Sequence, residues 1–396
     1  MFIKRRKTKQ VRVGLVPIGG GAPVVVQSMT TPDTADVKAT VEQIHQLEQV
    51  GCEVVRVTVN TPEAAKALPA IKKQTAIPII ADIHFDHRLA LQAAEIVDCV
   101  RINPGNIGAW WKVEEVVKAV RERNIPLRIG VNGGSLEREL LAKYGYPTAE
   151  ALAESALNAV RAIEDIGFTN MKVSLKASDV SLMVDAYRLF ALQSDYPLHL
   201  GVTEAGTLLT GSIKSSIGIG LLLADGIGDT IRVSLAADPV EEVKVGFEIL
   251  KALELRHRGV NVIACPTCGR VEIDVVKLAN EVEKRVGHIR VPLTVSVLGC
   301  VVNGIGEGKE ADIGIAGGEG SGGHGILFKE GKLIRKVKSE ELLETLLAEI
   351  EIMAKEREAG GGSESKGNGR GNGGAQGNAS AAPSGSGKKK IPILKV

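Results

Sequence analysis

The chain has 396 residues, of which 44% are hydrophobic, enough for one large core and a smaller one in a protein of one to three domains. Its 49 Lys and Arg residues nearly balance 47 Asp and Glu residues, the formal net charge is +2, and aromatic residues make up only 3%. We therefore expect no nucleic-acid partner, because charge attraction and base stacking are both weak. No apolar run reaches the roughly 20 residues of a membrane span, so no membrane partner is expected either.

The cysteine content indicates a reducing compartment. Five scattered cysteines are too few for a disulfide framework. The basic segment Lys4–Lys7 is not followed by the apolar region of a signal peptide. We therefore expect a cytoplasmic protein.

Short β-branched runs alternate with helical stretches over the first 240 residues. Helix-like segments include Thr34–Gln49, Val113–Arg123 and Ala149–Ile166. The strand candidates are Val24–Met29, Glu53–Val59, Ile77–Asp82, Asp98–Asn103, Pro126–Val131, Asn170–Leu175, Leu198–Thr203 and Thr230–Leu235.

Eight such units in about 250 residues predict an α/β fold, a (β/α)8 TIM barrel, whose chemistry lies at the C-terminal ends of the strands. An open doubly wound sheet is the alternative, but no G-x-G-x-x-G motif follows the first strand. Ahead of the barrel, Val11–Val16, a turn at Gly19–Gly21 and the run from Val24 predict an extra hairpin.

The sequence changes character after the helix candidate Glu241–Leu255. Residues 259–358 carry three of the five cysteines and predict a second, smaller α/β domain after a barrel domain at 1–258. From residue 359 to 396 the chain is rich in Gly, Ser, Asn and Ala, which bury too little apolar surface to offset the entropy of ordering. This segment is predicted to be a disordered tail.

Arginine occurs inside four strand candidates, each time between apolar residues. Because side chains alternate along a strand and the Val and Ile neighbours face the surrounding helices, these arginines are expected to point into the barrel. Lys172, Ser174 and Lys176 share one face of the sixth strand in the same way. The four arginines are Arg56, Arg101, Arg128 and Arg232.

Buried cations need partners, because an unpaired one costs several kcal/mol. A structural network with Asp82, Asp98 or Glu204 is one explanation. Four converging arginines with so few carboxylates nearby favour a strongly anionic ligand, most simply a diphosphate, whose oxygens match the guanidinium fork.

Cys265 and Cys268 form a C-x2-C motif, and Cys300 follows it after 31 intervening residues in the same predicted domain. Three thiols favour a metal over a redox pair, but a fourth ligand is not evident. Glu307, His288 and His324 are candidates, so a Cys3His zinc site remains open, as does an iron–sulfur centre with a labile fourth ligand.

Several runs carry a resemblance to a known family. The segments Ala264–Arg270 and Gly299–Gly304, followed by Gly306 and Glu307, resemble the 4-hydroxy-3-methylbut-2-enyl diphosphate synthases in their bacterial two-domain form. The resemblance covers roughly residues 4 to 355 and stops before the tail. Further matching runs are Val26–Thr30, Ala81–Phe85, Arg101–Gly108, Lys176–Asp179, Gly201–Gly206 and Arg232–Pro239.

The resemblance implies an iron–sulfur oxidoreductase of the non-mevalonate isoprenoid pathway. It would reductively open and dehydrate a cyclic diphosphate, 2-C-methyl-D-erythritol 2,4-cyclodiphosphate, with electrons from flavodoxin or ferredoxin. It implies a homodimer in which the cluster domain of one subunit covers the barrel mouth of the other. The implied ligands of a [4Fe-4S] cluster are Cys265, Cys268, Cys300 and Glu307.

The same resemblance implies roles inside the barrel. Loss of a C–O oxygen requires a proton, so Glu204 is the candidate general acid, while Asp82 and His84 orient the substrate or relay protons. Lys172 matches no position of the family, whereas Lys176 does. The implied diphosphate-binding residues are Arg56, Arg101, Asn103, Arg128, Asn132, Lys176, Arg232 and Ser234.

Three alternatives remain at this point. A barrel hydrolase or transferase acting on a phosphorylated substrate would use the cysteines for a structural zinc. A non-catalytic electron-transfer or scaffold module would have no need of inward arginines. A radical S-adenosylmethionine enzyme is disfavoured, because no C-x3-C-x2-C motif occurs.

Overall fold

The computed structural model describes residues 3–300, 310–318 and 323–359. A two-stranded hairpin, formed by β1 (Gln10–Val13) and β2 (Val16–Gly19), precedes the main sheet. The hairpin turns at Gly14 and Leu15, with Val13 opposite Val16. Our expectation that Gly19–Gly21 form its turn was therefore wrong. A two-residue hairpin turn favours positive φ, and Gly14 supplies it at φ 57°.

Eight parallel strands form the barrel, which confirms the predicted fold class. In chain order, β3 to β8 are consecutive neighbours, β10 lies between β3 and β9, and a single bridge from Val173 to Leu198 joins β8 to the start of β9. The strands are β3 (Val25–Met29), β4 (Val54–Thr58), β5 (Ile79–Asp82), β6 (Cys99–Ile102), β7 (Leu127–Asn132), β8 (Met171–Lys176), β9 (His199–Leu200) and β10 (Thr230–Ile231).

Ten helices follow or connect these strands in the described part of the chain. Several begin at a side chain that accepts a backbone N–H, as Asp36, Thr148 and Asp238 do, and such caps set where a helix starts. The cap at Asp36 is why α1 begins at Val37 and not at Thr34. The helices are α1 (Val37–Gln49), α2 (Pro62–Gln74), α3 (His87–Ala94), α4 (Pro104–Ile107), α5 (Trp110–Glu122), α6 (Arg138–Tyr144), α7 (Ala149–Asp165), α8 (Val180–Ala191), α9 (Leu208–Ala224) and α10 (Pro239–Ala252).

The hairpin closes the N-terminal end of the barrel. Val11, Val13 and Ile18 pack against the first inward residues of four strands in one buried apolar cluster. The barrel interior is therefore sealed at that end and opens at the C-terminal ends of the strands. The strand residues in the cluster are Val25, Val54, Ile80 and Cys99.

A second sheet follows, in the order β11-β12-β13-β14-β15. Strands β11, β12 and β13 are parallel to one another, β14 is antiparallel to β13, and β15 is antiparallel to β14. Its core lies between this sheet and two helices, α11 (Val275–Val286) and α12 (Leu342–Ala359). The strands are β11 (Val260–Ala264), β12 (Leu293–Leu298), β13 (Ile313–Gly317), β14 (His324–Lys329) and β15 (Lys332–Lys338).

Two sequence-based expectations fall outside the described residues. Glu307 is one, and the predicted tail is the other, apart from Ala359 at the end of α12. Among the helices that the structure does describe, none combines the length and the apolar character needed to cross a membrane.

Candidate functional site

The barrel interior is lined by cations from neighbouring strands. The strand register places Asp82 beside Arg101, Arg101 beside Arg128, and Arg128 beside Lys172. The alternate residues of these strands, such as Val100, Ile129 and Val173, belong to the outer core against the helices. The arginines therefore point inward, as the alternation predicted.

Asp82 is the carboxylate that pairs with Arg56 and Arg101 inside the barrel. It is buried, its Oδ1 accepts a hydrogen bond from Arg101 Nη1 at 2.8 Å, and its Oδ2 lies 3.4 Å from Arg56 Nε. Burial would raise the pKa of the Asp82 carboxyl, but Arg56 and Arg101 together hold it well below its ordinary value. Asp98, the other carboxylate considered beside it, pairs with Lys72 instead.

Three further cations have no carboxylate partner among the described residues. Arg128 and Lys172 are both 0% exposed, and neither Arg128 Nη1 nor Lys172 Nζ has a hydrogen-bond partner in the described structure. Arg128 donates only to Ser174 Oγ, at 3.0 Å from Nη2. Lys176 is also buried, and burial with four surrounding arginines lowers the pKa of its ammonium well below the ordinary value.

Arg232 differs from the other three arginines, because it has a carboxylate of its own. Its Nη2 lies 3.1 Å from Oε1 of Glu242, which is buried at the first turn of α10 and also accepts from Ser28 Oγ at 2.9 Å. Sequence reasoning missed Glu242. The available signal was its position on the apolar face of α10, in phase with Val243 and Gly246.

The predicted polar residues at the strand exits are placed around the barrel mouth. Asn103, directly after β6, accepts from Gly105 N at 3.1 Å and donates to Ser135 Oγ at 2.6 Å, which fixes its amide. Asn132 ends β7 and is half-buried, next to Lys176 in the register. Ser234 is half-buried three residues after β10.

Glu204 and His84 occupy the same end of the barrel. Glu204 follows β9 on an exposed loop, with a left-handed backbone at φ 53° and no hydrogen bond or ion pair to the described residues. Such a conformation is costly for a residue other than glycine. His84 follows β5, with Nε2 3.9 Å from Asp82 Oδ2 and a side chain 37% exposed.

His199 on β9 is a second residue that the sequence reasoning did not single out. It is fully buried, and its Nδ1 lies 2.6 Å from Thr230 Oγ1. Burial, with Arg128, Lys176 and Lys172 nearby, lowers the pKa of its imidazole well below the ordinary value, so the ring is neutral. Its position facing inward on the seventh strand was the available signal.

The three cysteines of the motif lie at one edge of the second sheet. Cys265 follows β11 and Cys300 comes two residues after β12, and Gly299 N donates to Cys265 Sγ at 3.0 Å. Cys268 is exposed, and hydrogen bonds from the backbone and side chain of Arg270 lower the pKa of its thiol. As placed, no three Cys, His, Asp or Glu side chains within the described ranges are gathered closely enough to hold a metal ion.

The other two cysteines belong to the barrel core. Cys52 and Cys99 are buried, and burial raises the pKa of both thiols, that of Cys52 to about 12. The interpretation of these two as small core residues is consistent with that environment. His288, once a candidate metal ligand, lies 2.8 Å from Glu351 on α12.

Fold and site together define the class: a (β/α)8-barrel protein with a cation-rich interior, followed by a smaller α/β unit that presents three cysteines at one sheet edge. Family sequence models match both parts. The GcpE TIM-barrel domain matches residues 8–247 and the GcpE protein C-terminal domain matches residues 261–352. The chain belongs to the GcpE family.

Close relatives cover about nine-tenths of the chain. A protein of Geobacter sulfurreducens named 4-hydroxy-3-methylbut-2-en-1-yl diphosphate synthase (flavodoxin) is 59% identical over 354 residues, covering 89% of this chain and 99% of the relative. A protein of the same name from Symbiobacterium thermophilum is 57% identical, covering 90% and 96%. Among solved structures, a type I 3-dehydroquinate dehydratase of Clostridium difficile superposes with a TM-score of 0.47 at 13% identity, covering 63% and 98%.

Proposed function

We propose that this chain is a 4-hydroxy-3-methylbut-2-en-1-yl diphosphate synthase of isoprenoid biosynthesis. It converts 2-C-methyl-D-erythritol 2,4-cyclodiphosphate, two electrons and two protons into the linear hydroxy-alkenyl diphosphate and water. The observation that carries the proposal is the excess of buried cations over carboxylates in the barrel of a GcpE-family chain. The comparisons give no support to a hydrolase or transferase with a structural zinc.

The charge balance of the described barrel interior fits a diphosphate. Asp82 and Glu242 each neutralise one positive charge, and several buried ammonium and guanidinium groups remain. Leaving such charges unpaired is unfavourable, so a multiply charged anion gains from all of them at once. We propose as its ligands Arg56, Arg101, Asn103, Arg128, Asn132, Lys176, Arg232 and Ser234.

Ring opening strengthens this match. Each phosphate of the cyclic substrate has one ester bond to carbon and shares an anhydride oxygen with the other, and when the C–O bond breaks, the released oxygen adds an ionisable position to one of them. Fixed cations that stabilise charge developing on that oxygen accelerate the cleavage, because they bind the transition state more tightly than the substrate. Arg128 and Lys176 are the cations best suited to this role, since neither has a carboxylate partner among the described residues.

Proton donation is assigned to Glu204. The hydroxyl oxygen that leaves as water needs a proton, and Glu204 lies at the exit of β9 with its carboxyl free of described partners. Asp82 is unsuited to give a proton, because two arginines keep it ionised. It instead orients Arg56 and Arg101, and His84 at the neighbouring exit contacts the substrate or passes protons.

The cysteines are proposed to hold a [4Fe-4S] cluster, with Glu307 as the fourth ligand. The donor set fits: the Gly299 amide already donates to Cys265 Sγ, as amides do to cluster thiolates, and Arg270 favours the thiolate form of Cys268. When bound, such a cluster would relay the electrons from the reduced donor protein to the substrate, one at a time. We propose residues 1–258 as the substrate domain and residues 259–358 as the cluster domain.

The chain is further proposed to act as a homodimer. Helix α9 carries an exposed apolar stripe, in which Leu209, Ile213 and Ile217 are 73%, 53% and 51% exposed at a spacing of four residues. Exposed apolar stripes of this length mark surfaces that another protein covers. A second copy is the occupant consistent with the isologous pairing of most homodimers.

The test is anaerobic turnover of the cyclic diphosphate with a chemical reductant, together with iron and acid-labile sulfide analysis. We expect turnover and sulfide. We expect Arg128→Met to weaken diphosphate affinity by about 1–3 kcal/mol, roughly 5- to 150-fold, the scale of a charged hydrogen bond. Arg188→Met, which removes a surface arginine paired with Asp225, is the control. One zinc per chain without sulfide, or undiminished affinity in Arg128→Met, contradicts the proposal.

A further inference from the structure

The last strand of the second sheet is an exposed, strongly basic edge. Strand β15 pairs only with β14, so its other side is unpaired within the described sheet. Six of its seven residues are exposed, and only Val337 is buried. The strand contains four cations and no carboxylate: Lys332, Arg335, Lys336 and Lys338.

These cations are not neutralised by the described parts of the chain. No ion pair or hydrogen bond involves the four side chains there, whereas Lys329 on the neighbouring strand lies 3.7 Å from Glu349. Two exposed acidic residues, Glu340 and Glu341, follow the strand in a short 3-10 turn and do not pair with it. The strand therefore presents a field of one sign to solvent.

The basic strand ends on the side of the sheet that carries the cysteines. Cys265 and Cys300 follow the C-terminal ends of β11 and β12. Because β14 and β15 run antiparallel to each other, Lys338 pairs with His324 at this same end. Three strand spacings separate β12 from β15, roughly 14 Å. A protein bound along β15 thus lies close to the cysteine edge.

Apolar surface accompanies the charge. Leu333 and Ile334, between the cations, are 62% and 50% exposed. Charges that steer encounter around a small apolar contact are typical of transient protein complexes, which form quickly and separate quickly. Lysine on an edge strand also prevents edge-to-edge aggregation, and that role alone is the competing explanation.

We propose that β15 is the docking surface for the electron-donor protein, which binds it through an acidic face. The inference rests on the proposed function, since only a reductase needs such a donor. The relatives' names specify flavodoxin, which is therefore the probe. Lys336 and Lys338 provide most of the attraction, because they lie at the cysteine end of the strand.

The experiment compares two assays on the holoenzyme: turnover driven by reduced flavodoxin and turnover driven by a chemical reductant. In Lys336→Glu/Lys338→Glu, we expect the KM for flavodoxin to rise at least about 10-fold at low ionic strength, with the difference shrinking as salt screens the charges. Turnover with the chemical reductant stays unchanged. The control is Lys66→Glu/Lys73→Glu, an equal charge reversal at two exposed lysines of α2, which leaves both assays near wild type.

Each outcome decides one question. If the wild type fails to turn over with the chemical reductant, the proposed function is wrong. If it turns over and the β15 variant keeps the wild-type KM for flavodoxin, the docking surface is wrong. A milder pair, Lys336→Gln/Lys338→Gln, guards against misfolding and should raise this KM by a smaller factor. Faster aggregation of that pair with an unchanged KM assigns the lysines to edge protection and overturns the proposal.

Discussion

Lys172 illustrates how single residues in the barrel favour binding over stability. It faces inward on β8 beside Arg128, is fully buried, and its Nζ has no hydrogen-bond partner among the described residues. Burial, together with Arg128 and Arg56, lowers the pKa of its ammonium to about 8. A cation in this position weakens the unliganded fold and adds to the attraction for an anion.

We predict that Lys172→Met stabilises the unliganded protein, and that the gain depends on pH. Below about pH 8 the lysine is protonated in both states and the native state bears the full cost of the buried charge, about 3 kcal/mol. As pH rises from 8 to the unfolded pKa of about 10.4, the cost falls steadily to zero, because the native lysine has already lost its proton and the unfolded lysine then loses its own. Urea unfolding of the wild type and the variant at pH 7 and pH 10 measures this difference in the free energy of unfolding. An equal gain at both pH values contradicts the charge explanation.

Gly130 on β7 leaves the space that the Arg101 guanidinium occupies. A Cβ there would lie 2.7 Å from Arg101 Nε, closer than such atoms approach, so a side chain displaces the guanidinium. We predict that Gly130→Ala weakens binding of the cyclic diphosphate at least several-fold, because Arg101 is pushed away from its place beside Asp82. Calorimetric titration checks this. Gly287→Ala, whose Cβ meets only ordinary contacts at 3.8 Å, should bind like the wild type.

At the scale of elements, α9 is the helix whose composition does not match its surroundings. Its single charged residue is Lys214, and its apolar residues lie on both the buried and the exposed side. Helices with apolar residues on both sides are commonly packed between two partners. The barrel covers one side, and the exposed side is the surface on which the proposed homodimer contact rests.

We predict that Leu209→Glu converts the proposed dimer to a monomer, measured by sedimentation equilibrium. The charge would lie in the middle of a buried apolar contact, where its desolvation is unfavourable. Leu15→Glu makes the same substitution at an 89% exposed leucine of the hairpin turn and should leave the association state unchanged. A Leu209→Glu protein that sediments like the wild type rules out α9 as the interface.

The elements were also the most predictable level of this structure. All eight barrel strands were found from β-branched runs, because the residues of each strand that face the helices are consistently apolar. The hairpin turn was misplaced, because three consecutive glycines outweighed the single Gly14 that the pairing uses. Glu242 was missed for a related reason: an acidic residue in a helix is ordinarily solvated, and only tertiary packing brings it to Arg232.

At the scale of the whole molecule, near-neutral net charge conceals a separation of charge. Cations concentrate inside the barrel and along β15, while many surface residues form compensating pairs such as Arg188 with Asp225. Alternation along strands predicted the inward arginines from sequence. The arrangement of β15 was not predictable, since its edge position depends on the pairing order of five strands.

The hairpin at the base of the barrel also determines the route by which substrate and product enter and leave the site. Val11, Val13 and Ile18 pack against inward residues of four strands at that end, so we expect the substrate to enter and the product to leave through the barrel mouth. A linear diphosphate that has not yet departed occupies the place that the next cyclic molecule needs. In each catalytic cycle, the product must therefore dissociate before the next substrate molecule can bind.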